Sequence, residues 1–506
     1  MAFKIFSAAV LGLEAEPIEV EADMGGGELG TMAIVGLPDT AVSEARERVR
    51  IAIKNLDFKF PRRRVTVNLA PADIKKQGPS YDLPIAVAIL AAAGLLSLQR
   101  EVGGAIFCGE LSLGGEVRPI DGVLPIALMA KERGFRELYV PAENAAEAKL
   151  VKELEVFPVN NLRQLVDHLL NIKPIVPLEG ESPTLVNQQI EFDMAEIKGQ
   201  EQAKRALEIS AAGGHNVLMF GVPGAGKTLL ARTLPSILPD LTWEEALEIT
   251  KIYSVAGILK SKRGLLASRP FRSPHHSASA VAMVGGGTWP RPGEISLAHR
   301  GVLFLDEFAE FPRSVLENLR QPLEDGIVHI SRAAGTLSFP AKFILVAAMN
   351  PCPCGHLGDE RQECVCSPTQ IINYKKKISG PILDRIDLHI QVPRLEYDKL
   401  ASERQGESSV QIKKRVEAAR QRQYRRFTKY SFLTNAEMNS VAIKEFCALD
   451  QAGKNMMRQA ADRFHLSARS YFRILKLART IADLADEEKV MISHLAEALQ
   501  YRPNID

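Results

Sequence analysis

The sequence lacks any long apolar run and any strong excess of one charge. A helix that crosses a membrane needs roughly 18 or more apolar residues, and the apolar segment 85–96 is too short. The first residues, Met1–Lys4, lack the layout of a secretory signal peptide. The formal net charge is +2, so any basic surface for a polyanion must be local. We therefore expect a cytoplasmic protein without a membrane segment.

Cysteine is scarce as well. The chain has 506 residues and six cysteines, and four of these lie between positions 352 and 366. In a reducing compartment such a cluster points away from disulfide bonds. The hydrophobic content of 46% and the charged content of 25% are ordinary for a soluble globular protein. The length suggests about three domains.

The most informative stretch is a glycine-rich loop between a predicted strand (216–220) and a predicted helix (229–234). The loop fits the pattern G-x-x-x-x-G-K-[ST]. Backbone N–H groups at a helix N-terminus favour phosphate; Lys227 would reach the β- and γ-phosphates, and Thr228 would hold Mg²⁺. The alternative is an ordinary glycine turn before a helix. The pattern predicts an ATP site formed by Gly221, Pro223, Gly224, Ala225, Gly226, Lys227 and Thr228.

Two acids follow an apolar strand about 80 residues after the loop. Asp306 would bind Mg²⁺ through water, and Glu307 would polarise the attacking water. A helix cap is the alternative for this pair, but the order and spacing after the phosphate loop favour catalysis. The strand 343–349 ends in Asn350, which would orient the same water. A further strand end, predicted within 383–388, would place Arg385 beside a subunit edge.

Strands that alternate with helices predict an α/β fold with a parallel sheet and an active site at its carboxyl ends. The segment from 173 carries three prolines and few periodic apolar positions, which is typical of a linker. We expect four regions, namely an N-terminal α+β domain (1–172), a linker (173–197), an ATPase core (198–395) and a C-terminal helical lid (396–506).

The N-terminal domain resembles the Lon-protease domain, which shares a ribosomal-protein S5 fold. The resemblance rests on Gly78-Pro79-Ser80, on the segment 109–116 and on the segment 140–144. It implies that Ser80 stands at the position of the Lon nucleophile. The helix that should carry the lysine base is apolar at 122–127, and Lys131 lies two turns further on. Because a serine without a base is a weak nucleophile, we expect a non-catalytic domain kept for packing or DNA contact.

Nearly the whole chain resembles the magnesium-chelatase-like AAA+ family, and more narrowly the YifB (ComM) family. The resemblance rests on the segments 272–277, 285–287, 290–299 and 319–326. It implies a ring, typically a hexamer, in which Arg385 acts in trans on the neighbouring subunit's ATP. Arg469 matches the sensor-2 arginine, with Arg473 as the fallback. The resemblance also implies an insert at 267–298 and a hairpin at 327–339 that lines the pore and grips DNA; a plain sheet-edge hairpin is the alternative.

The four clustered cysteines are Cys352, Cys354, Cys364 and Cys366. Four thiolates could close a tetrahedral Zn²⁺ site, although the usual C-x₂-C spacing is absent. The alternative is a loop with buried, inert thiols, and His356 is a fifth candidate ligand. The adjacent His275 and His276 have no third ligand nearby, so we expect them to serve in phosphate contact or packing.

A basic helix within 413–429 carries Glu417 as almost its only acid. Such a run is usually a solvated face, and contact with a phosphate backbone is the alternative. Together the residues and the resemblance imply an ATP-hydrolysing ring motor on single-stranded or branched DNA. Its output would be helicase activity and branch migration in homologous recombination or natural transformation. A chelatase-type motor, a chaperone-like remodeller and an ATP-dependent protease stay open; the missing lysine weakens the last.

Overall fold

The computed structural model describes residues 3–26, 30–56, 58, 60–96, 102–180, 191–259, 264–287, 290–332, 335–394 and 406–502, without the side chains of 332 and 335. The chain divides into two compact units. The first comprises Met1–Val186 and Trp243–Leu266, and the second comprises Asn187–Thr242 and Ala267–Asp506. Among the described residues, no helix has both the length and the apolar character needed to cross a bilayer.

The first unit is an α+β domain built on one mixed sheet. Its elements are β1 (Phe3–Leu11), β2 (Glu14–Gly25), β3 (Met32–Val35), α1 (Thr40–Asn55), β4 (Arg64–Ala70), α2 (Asp82–Ala92), β5 (Ala105–Phe107), β6 (Glu110–Leu111), β7 (Val117–Arg118), α3 (Val123–Glu132), β8 (Glu137–Pro141), α4 (Ala145–Ala148), β9 (Glu155–Val159) and α5 (Leu162–Leu169). The seven-stranded sheet has the order β3-β4-β2-β1-β5-β8-β9, and β6 and β7 form a separate short hairpin.

Alternation and capping explain these elements. Strand β4 buries every second residue, as a strand with one core face should. Helix α1 begins where the Asp39 carboxylate accepts a hydrogen bond from the Val42 N–H at 2.8 Å. Helix α2 is buried from Asp82 to Leu90, and the Asp82 carboxylate is paired there with Arg48 at 2.7 Å. Pairing is what makes a buried carboxylate tolerable.

Two lysines of this unit come into question as a base for Ser80. Lys131 is exposed and pairs with Glu153 at 3.4 Å. Lys76, four residues before Ser80, is buried and its amine donates to the carbonyl of Pro71. Both lysines therefore have other partners, and the expected non-catalytic role of the domain stays a prediction.

The start of the predicted linker belongs to the first unit. Ile175 is buried, its N–H donates to His168 Nδ1 at 2.8 Å, and the Leu178 N–H donates to the Val156 carbonyl at 2.8 Å. The chain is thus bound to the domain beyond residue 172, because these apolar and backbone groups find partners there. Residues 181–190 of the predicted linker lie outside the described residues.

From residue 191 the chain adds a parallel sheet and many helices. The elements are α6 (Glu201–Gly213), β10 (Val217–Phe220), α7 (Lys227–Ile237), α8 (Trp243–Val255), β11 (Phe271–Arg272), α9 (Ala280–Val284), β12 (Gly285–Gly286), β13 (Arg291–Pro292), α10 (Glu294–Leu297), β14 (Val302–Leu305), α11 (Arg313–Glu317), α12 (Arg320–Asp325), β15 (Ile327–Arg332), β16 (Gly335–Pro340), β17 (Ile344–Met349), α13 (Pro368–Lys376), α14 (Gly380–Leu383), β18 (Leu388–Gln391), α15 (Ser409–Arg426), α16 (Ser440–Phe446), α17 (Gln451–Phe464), α18 (Ala468–Leu484) and α19 (Ile492–Gln500).

The second unit centres on a five-stranded parallel sheet with the order β11-β14-β17-β10-β18. Strand β17 is buried throughout, which explains its continuous apolar run. The C-terminal helices α15 and α18 pack on α6, and all three contribute to one hydrophobic core with the sheet. The predicted core and lid therefore share a single compact unit.

One predicted assignment is wrong. Leu383 is not in a strand: Ser379-Gly380-Pro381 starts the short helix α14, and the strand β18 begins only at Leu388. Residues 243–266, which lie within the predicted ATPase core, pack with the first unit in the structure. There the Ser254 carbonyl accepts a hydrogen bond from the Gly122 N–H at 3.1 Å, and the Ser254 hydroxyl bonds the buried Glu147.

Candidate active site

The phosphate loop connects β10 to α7 as predicted. Gly226 has φ +89° and immediately precedes α7, a conformation that glycine adopts without steric cost. Gly221 lies against the Val392 carbonyl oxygen, only 2.2 Å from where a Cβ would stand. The loop therefore has its shape because side chains are absent at these points. Its N–H groups gather at the start of a helix, which is a common anion site.

The Lys227 amine lies inside this loop. It donates to the Gly221 carbonyl at 2.6 Å, to the Val222 carbonyl at 3.1 Å and to Asn350 Oδ1 at 3.1 Å. Burial lowers the pKa of Lys227, and the nearby Asp306 opposes this shift. The structure thus brings together two predicted site residues, Lys227 and Asn350. They follow the strands β10 and β17, which are neighbours in the sheet.

A second contact joins the predicted Mg²⁺ ligands. The Thr228 hydroxyl donates to Asp306 Oδ2 at 2.8 Å. A hydroxyl and a carboxylate at this separation suit Mg²⁺, which prefers oxygen ligands and keeps several waters. The residues present therefore fit a magnesium–nucleotide complex. Thr228 and Asp306 would hold the ion, and the loop and Lys227 would hold the phosphates.

Glu307 has an unusual backbone and a partner that the sequence did not indicate. Its φ of +51° lies in the left-handed region, which costs energy for a residue with a side chain and often marks a functional position. Its Oε2 lies 2.8 Å from His276 Nδ1. The centre of the His275 ring lies 4.1 Å from that of His276, with the rings tilted by 35°, but His275 Nδ1 bonds Ser277 instead. The sequence pointed to phosphate contact or packing for both histidines, so the contact of His276 with an acid is new.

The predicted arginines meet on one carboxylate, that of Glu324. Arg385 is buried, donates to the Pro381 carbonyl at 2.7 Å and pairs with Glu324. Arg469 Nη2 lies 2.9 Å from the other Glu324 oxygen. Hydrogen bonding to Arg385 holds the pKa of Glu324 below its usual range. Arg473, the fallback, pairs instead with Asp387 at 2.8 Å; sequence reasoning missed Glu324 because it lies far from both arginines in the chain.

The four clustered cysteines converge as a zinc site requires. Their sulfurs all lie within 4.8 Å of one another. Cys352 Sγ lies 3.4 Å from Cys354 Sγ, and Cys364 Sγ lies 3.6 Å from each of these two sulfurs. Tetrahedral Zn–S bonds of about 2.3 Å place neighbouring sulfurs about 3.8 Å apart, whereas a disulfide bond is about 2.05 Å long. A backbone hydrogen bond from His356 lowers the pKa of the Cys354 thiol to about 6.

His356 points elsewhere, toward Asp359 at 3.3 Å. Among the described residues, the group with metal-site geometry holds the four cysteines and not this histidine. The fifth candidate ligand of the sequence analysis is therefore not part of the cluster.

The predicted insert and hairpin lie side by side. The hairpin β15–β16 pairs Ile327 with Pro340 at its base. Its buried Ile330 packs against Gly285 of the insert, with Cδ1 2.8 Å from where a Cβ would stand. A cavity of about 430 Å³ is lined by α9, by residues 317–322 and by the hairpin. The Arg332 side chain of the predicted hairpin lies outside the described residues.

The basic helix α15 mostly faces acids of its own unit. Lys413 pairs with Asp240 at 2.5 Å, Arg415 with Glu208 at 2.6 Å and Arg426 with Asp483 at 2.9 Å. Arg422 also pairs with Asp486, and Arg420 donates to the Ala211 carbonyl at 2.9 Å. Much of the charge run is therefore used within the fold, which reduces the case for a continuous DNA-binding face.

Comparisons with known proteins agree with this geometry. Residues 193–400 match the family model "Magnesium chelatase, subunit ChlI", residues 406–502 match its C-terminal model, and residues 20–144 match "Subunit ChlI of Mg-chelatase". Competence protein ComM of Haemophilus influenzae is 44% identical over 505 residues, which cover 98% of this chain and 97% of that protein. The chain belongs to the YifB/ComM family. Protein YifB of Escherichia coli is likewise 44% identical over 501 residues, with 98% and 96% coverage.

The family assigns the chemistry of the phosphate loop. This YifB/ComM-family protein is a magnesium-chelatase-like AAA+ ATPase, which implies ATP and Mg²⁺ as ligands of the site described above. Family membership also suggests oligomeric assembly. A Lon protease of Brucella suis is 28% identical over 134 residues, 25% of this chain and 16% of that protein, which fits the expected Lon-like N-terminal domain.

Proposed function

We propose that the protein is an ATP-driven ring motor, typically a hexamer, that acts on single-stranded or branched DNA. Its output is helicase activity that promotes branch migration during homologous recombination or natural transformation. The observation that carries the proposal is the shared cavity between the insert and the hairpin β15–β16 in an AAA+ ATPase. A relative with 44% identity is named a competence protein, which supports the DNA assignment.

The ATP cycle uses side chains that the sheet holds close together. Lys227 binds the phosphates, Thr228 and Asp306 hold Mg²⁺, and Glu307 polarises water that Asn350 orients. When bound, the magnesium–ATP complex supplies the phosphoanhydride bond whose hydrolysis drives the motor. Strand β11 joins the insert directly to β14, since Phe271 pairs with Val302 and Arg272 with Leu303. The insert is thus covalently and physically tied to the strand that precedes Asp306.

The hairpin offers polar groups to a nucleic-acid backbone. His329, Ser331, Thr336 and Ser338 are exposed, whereas Val328, Ile330 and Phe339 are buried. Hydroxyl and imidazole groups are suitable hydrogen-bond partners for phosphate oxygens. Such contacts position a strand without reading its sequence, as a translocating motor requires. The buried face of the hairpin anchors it, so a movement of the insert is transmitted to the hairpin.

The test is the stimulation of ATP turnover in the purified full-length protein. We expect single-stranded DNA or a four-way junction to raise turnover several-fold, and we expect ATP-dependent movement of the junction. Glu307→Gln is the control that binds ATP and does not turn it over. Stimulation by unfolded protein or by a porphyrin-subunit complex, with no response to DNA, would contradict the proposal and favour a chaperone-like or chelatase-type motor.

The cysteine cluster forms a structural zinc site in this proposal. Four soft thiolates at tetrahedral separations select Zn²⁺ or an iron–sulfur centre, and sulfur separations of 3.4–3.6 Å fit one central ion. Metal analysis of protein prepared without chelator should give about one Zn²⁺ per chain. Protein that is metal-free as isolated and gains no Zn²⁺ on addition would contradict this assignment.

A further inference from the structure

The cysteine loop 352–366 lies against the phosphate loop. Gly355 lies over the ring of Pro223: a Cβ on Gly355 would stand 2.6 Å from Pro223 Cγ and 2.8 Å from its Cδ. These separations are far below van der Waals contact, so only glycine fits. Gly355 also has φ +86° and donates its N–H to the Cys352 carbonyl at 3.0 Å. The turn that follows two of the cysteines is therefore packed on the loop that would hold the nucleotide.

The same segment begins and ends beside the predicted water-orienting residue. Cys352 follows Asn350 by two positions, and Asn350 Oδ1 accepts a hydrogen bond from the Lys227 amine at 3.1 Å. Helix α13 follows Cys366, and burial raises the pKa of its Tyr374 to about 12, whereas a backbone hydrogen bond from Asn350 opposes this shift. Beside it, the Gly221 N–H donates to the Met349 carbonyl at 3.3 Å. Both ends of the cysteine segment are thus tied to the ATP site.

The sulfurs set the shape of the segment between these ends. Cys366 Sγ accepts the Cys354 N–H at 3.4 Å, and Cys352 Sγ accepts the Leu357 N–H at 3.3 Å. Residues 353–367 form no helix or strand, so their fold depends on what holds the four sulfurs together. A metal ion that binds all four would fix the position of Gly355.

We infer that the metal-loaded cysteine loop supports the phosphate loop, and that Gly355 is a positioning residue for nucleotide binding. The inference rests on the proposed zinc site but not on the proposed action on DNA. Phosphate recognition depends on several N–H groups aimed at one point, and a displacement of about 1 Å in such a site can cost on the order of 10²-fold in rate. A loop that holds Pro223 in place therefore has a direct effect on affinity for the nucleotide.

The experiment measures the Kd of a fluorescent ADP and the zinc content of the full-length protein together. Gly355→Ala should weaken ADP binding about 10-fold or more while the zinc content stays at the wild-type value. Gly358→Ala is the matched control, because Gly358 has φ +81° in the same loop but nothing lies within 4 Å of where its Cβ would stand. We expect this control to remain within about 3-fold of wild type. Equal losses in both variants would overturn the inference.

Pro223→Ala removes the two ring atoms that an added Cβ would strike. In the Gly355→Ala background it should recover part of the lost affinity, whereas fully additive losses would overturn the assigned contact.

Removal of zinc by a zinc-selective chelator should weaken ADP binding about 10-fold, and added Zn²⁺ should restore it. Unchanged ADP affinity in folded, zinc-free protein would overturn the role of the metal. The affinities for ADP do not depend on whether DNA stimulates ATP turnover. The proposed action on DNA and the proposed support of the phosphate loop can therefore fail independently of each other.

Discussion

His276 Nδ1 lies 2.8 Å from Glu307 Oε2, so the insert contacts the acid that we propose polarises water. Glu307 is half-exposed and has a left-handed backbone, and its carboxylate has freedom to turn unless a partner holds it. His276 supplies that partner from the segment that also lines the cavity beside the hairpin. One side-chain contact therefore joins the insert that lines this cavity to the predicted catalytic acid.

The first prediction concerns this contact. His276→Ala should lower ATP turnover by about 10- to 100-fold, because the Glu307 carboxylate loses its fixed orientation, while the Kd for ATP stays near the wild-type value. His275→Ala is the matched control, since its ring nitrogen bonds Ser277 and not the acid. Steady-state turnover and nucleotide binding, measured on both variants, check the prediction. Equal turnover in the two variants would show that the contact has no catalytic role.

The second prediction separates binding from hydrolysis at the ATP site. Lys227→Ala removes the amine that lies inside the phosphate loop, so it should abolish nucleotide binding or hydrolysis. Glu307→Gln should bind ATP and fail to hydrolyse it, with a loss on the order of 10²-fold or more. Equilibrium binding and phosphate release distinguish the two outcomes. Near-normal turnover in either variant would contradict the site assignment.

The third prediction compares the two candidate DNA surfaces. His329→Ala combined with Ser338→Ala removes exposed polar groups from the hairpin, and each lost bond to a phosphate should weaken DNA binding about 10-fold. Lys414→Ala combined with Arg425→Ala removes exposed charge from α15 and should have a smaller effect. Basal ATP turnover should be unchanged in both. A larger loss of DNA-stimulated turnover in the α15 variant would place the DNA on the helix instead.

The sequence predicted the parts of the site that are written in short motifs. The phosphate loop, the acid pair and Asn350 follow from residues that are close in the chain, whereas the hairpin was implied by the family resemblance. The structure brings Lys227 to Asn350 and Thr228 to Asp306, and the catalytic roles of these residues stay predictions. The contact of His276 with Glu307 could not be predicted, because it depends on how the insert at 267–298 folds back on the sheet. The apolar Leu383 suggested a strand, but a preceding Gly-Pro pair starts a helix there.

Charge patterns were the least predictable feature. The basic run of α15 suggested a solvated face or a phosphate contact, yet Glu208, Asp240 and Asp483 come from distant parts of the chain to neutralise it. The sequence of one basic segment does not show which acidic residues the tertiary structure brings next to it. The same reason explains why Glu324 was missed as the common partner of Arg385 and Arg469.

The last prediction concerns Arg385 and Glu324. If their ion pair is the whole role of Arg385, loss of either partner should affect stability and not ATP turnover. Glu324 is half-exposed, so that effect should be small, about 0–1 kcal/mol of stability. If Arg385 is instead a finger that stabilises charge on a neighbouring subunit's ATP, the two losses differ. Arg385→Ala should then lower turnover about 10³-fold or more, whereas Glu324→Gln should leave turnover near or above the wild-type value, because it frees the guanidinium.

Mixing the variants tests whether the site is shared between subunits. Arg385→Ala keeps an intact phosphate loop, and Lys227→Ala keeps an intact Arg385. When the two inactive proteins form rings together, some interfaces pair an intact loop with an intact arginine, and partial recovery of ATP turnover is the expected result. A strictly coordinated ring that tolerates no inactive subunit would show no recovery. In that case the comparison of Arg385→Ala with Glu324→Gln decides whether Arg385 acts on a neighbouring subunit's ATP. Full activity of Arg385→Ala alone, or equal losses in Arg385→Ala and Glu324→Gln, would show that Arg385 serves only its own subunit's fold.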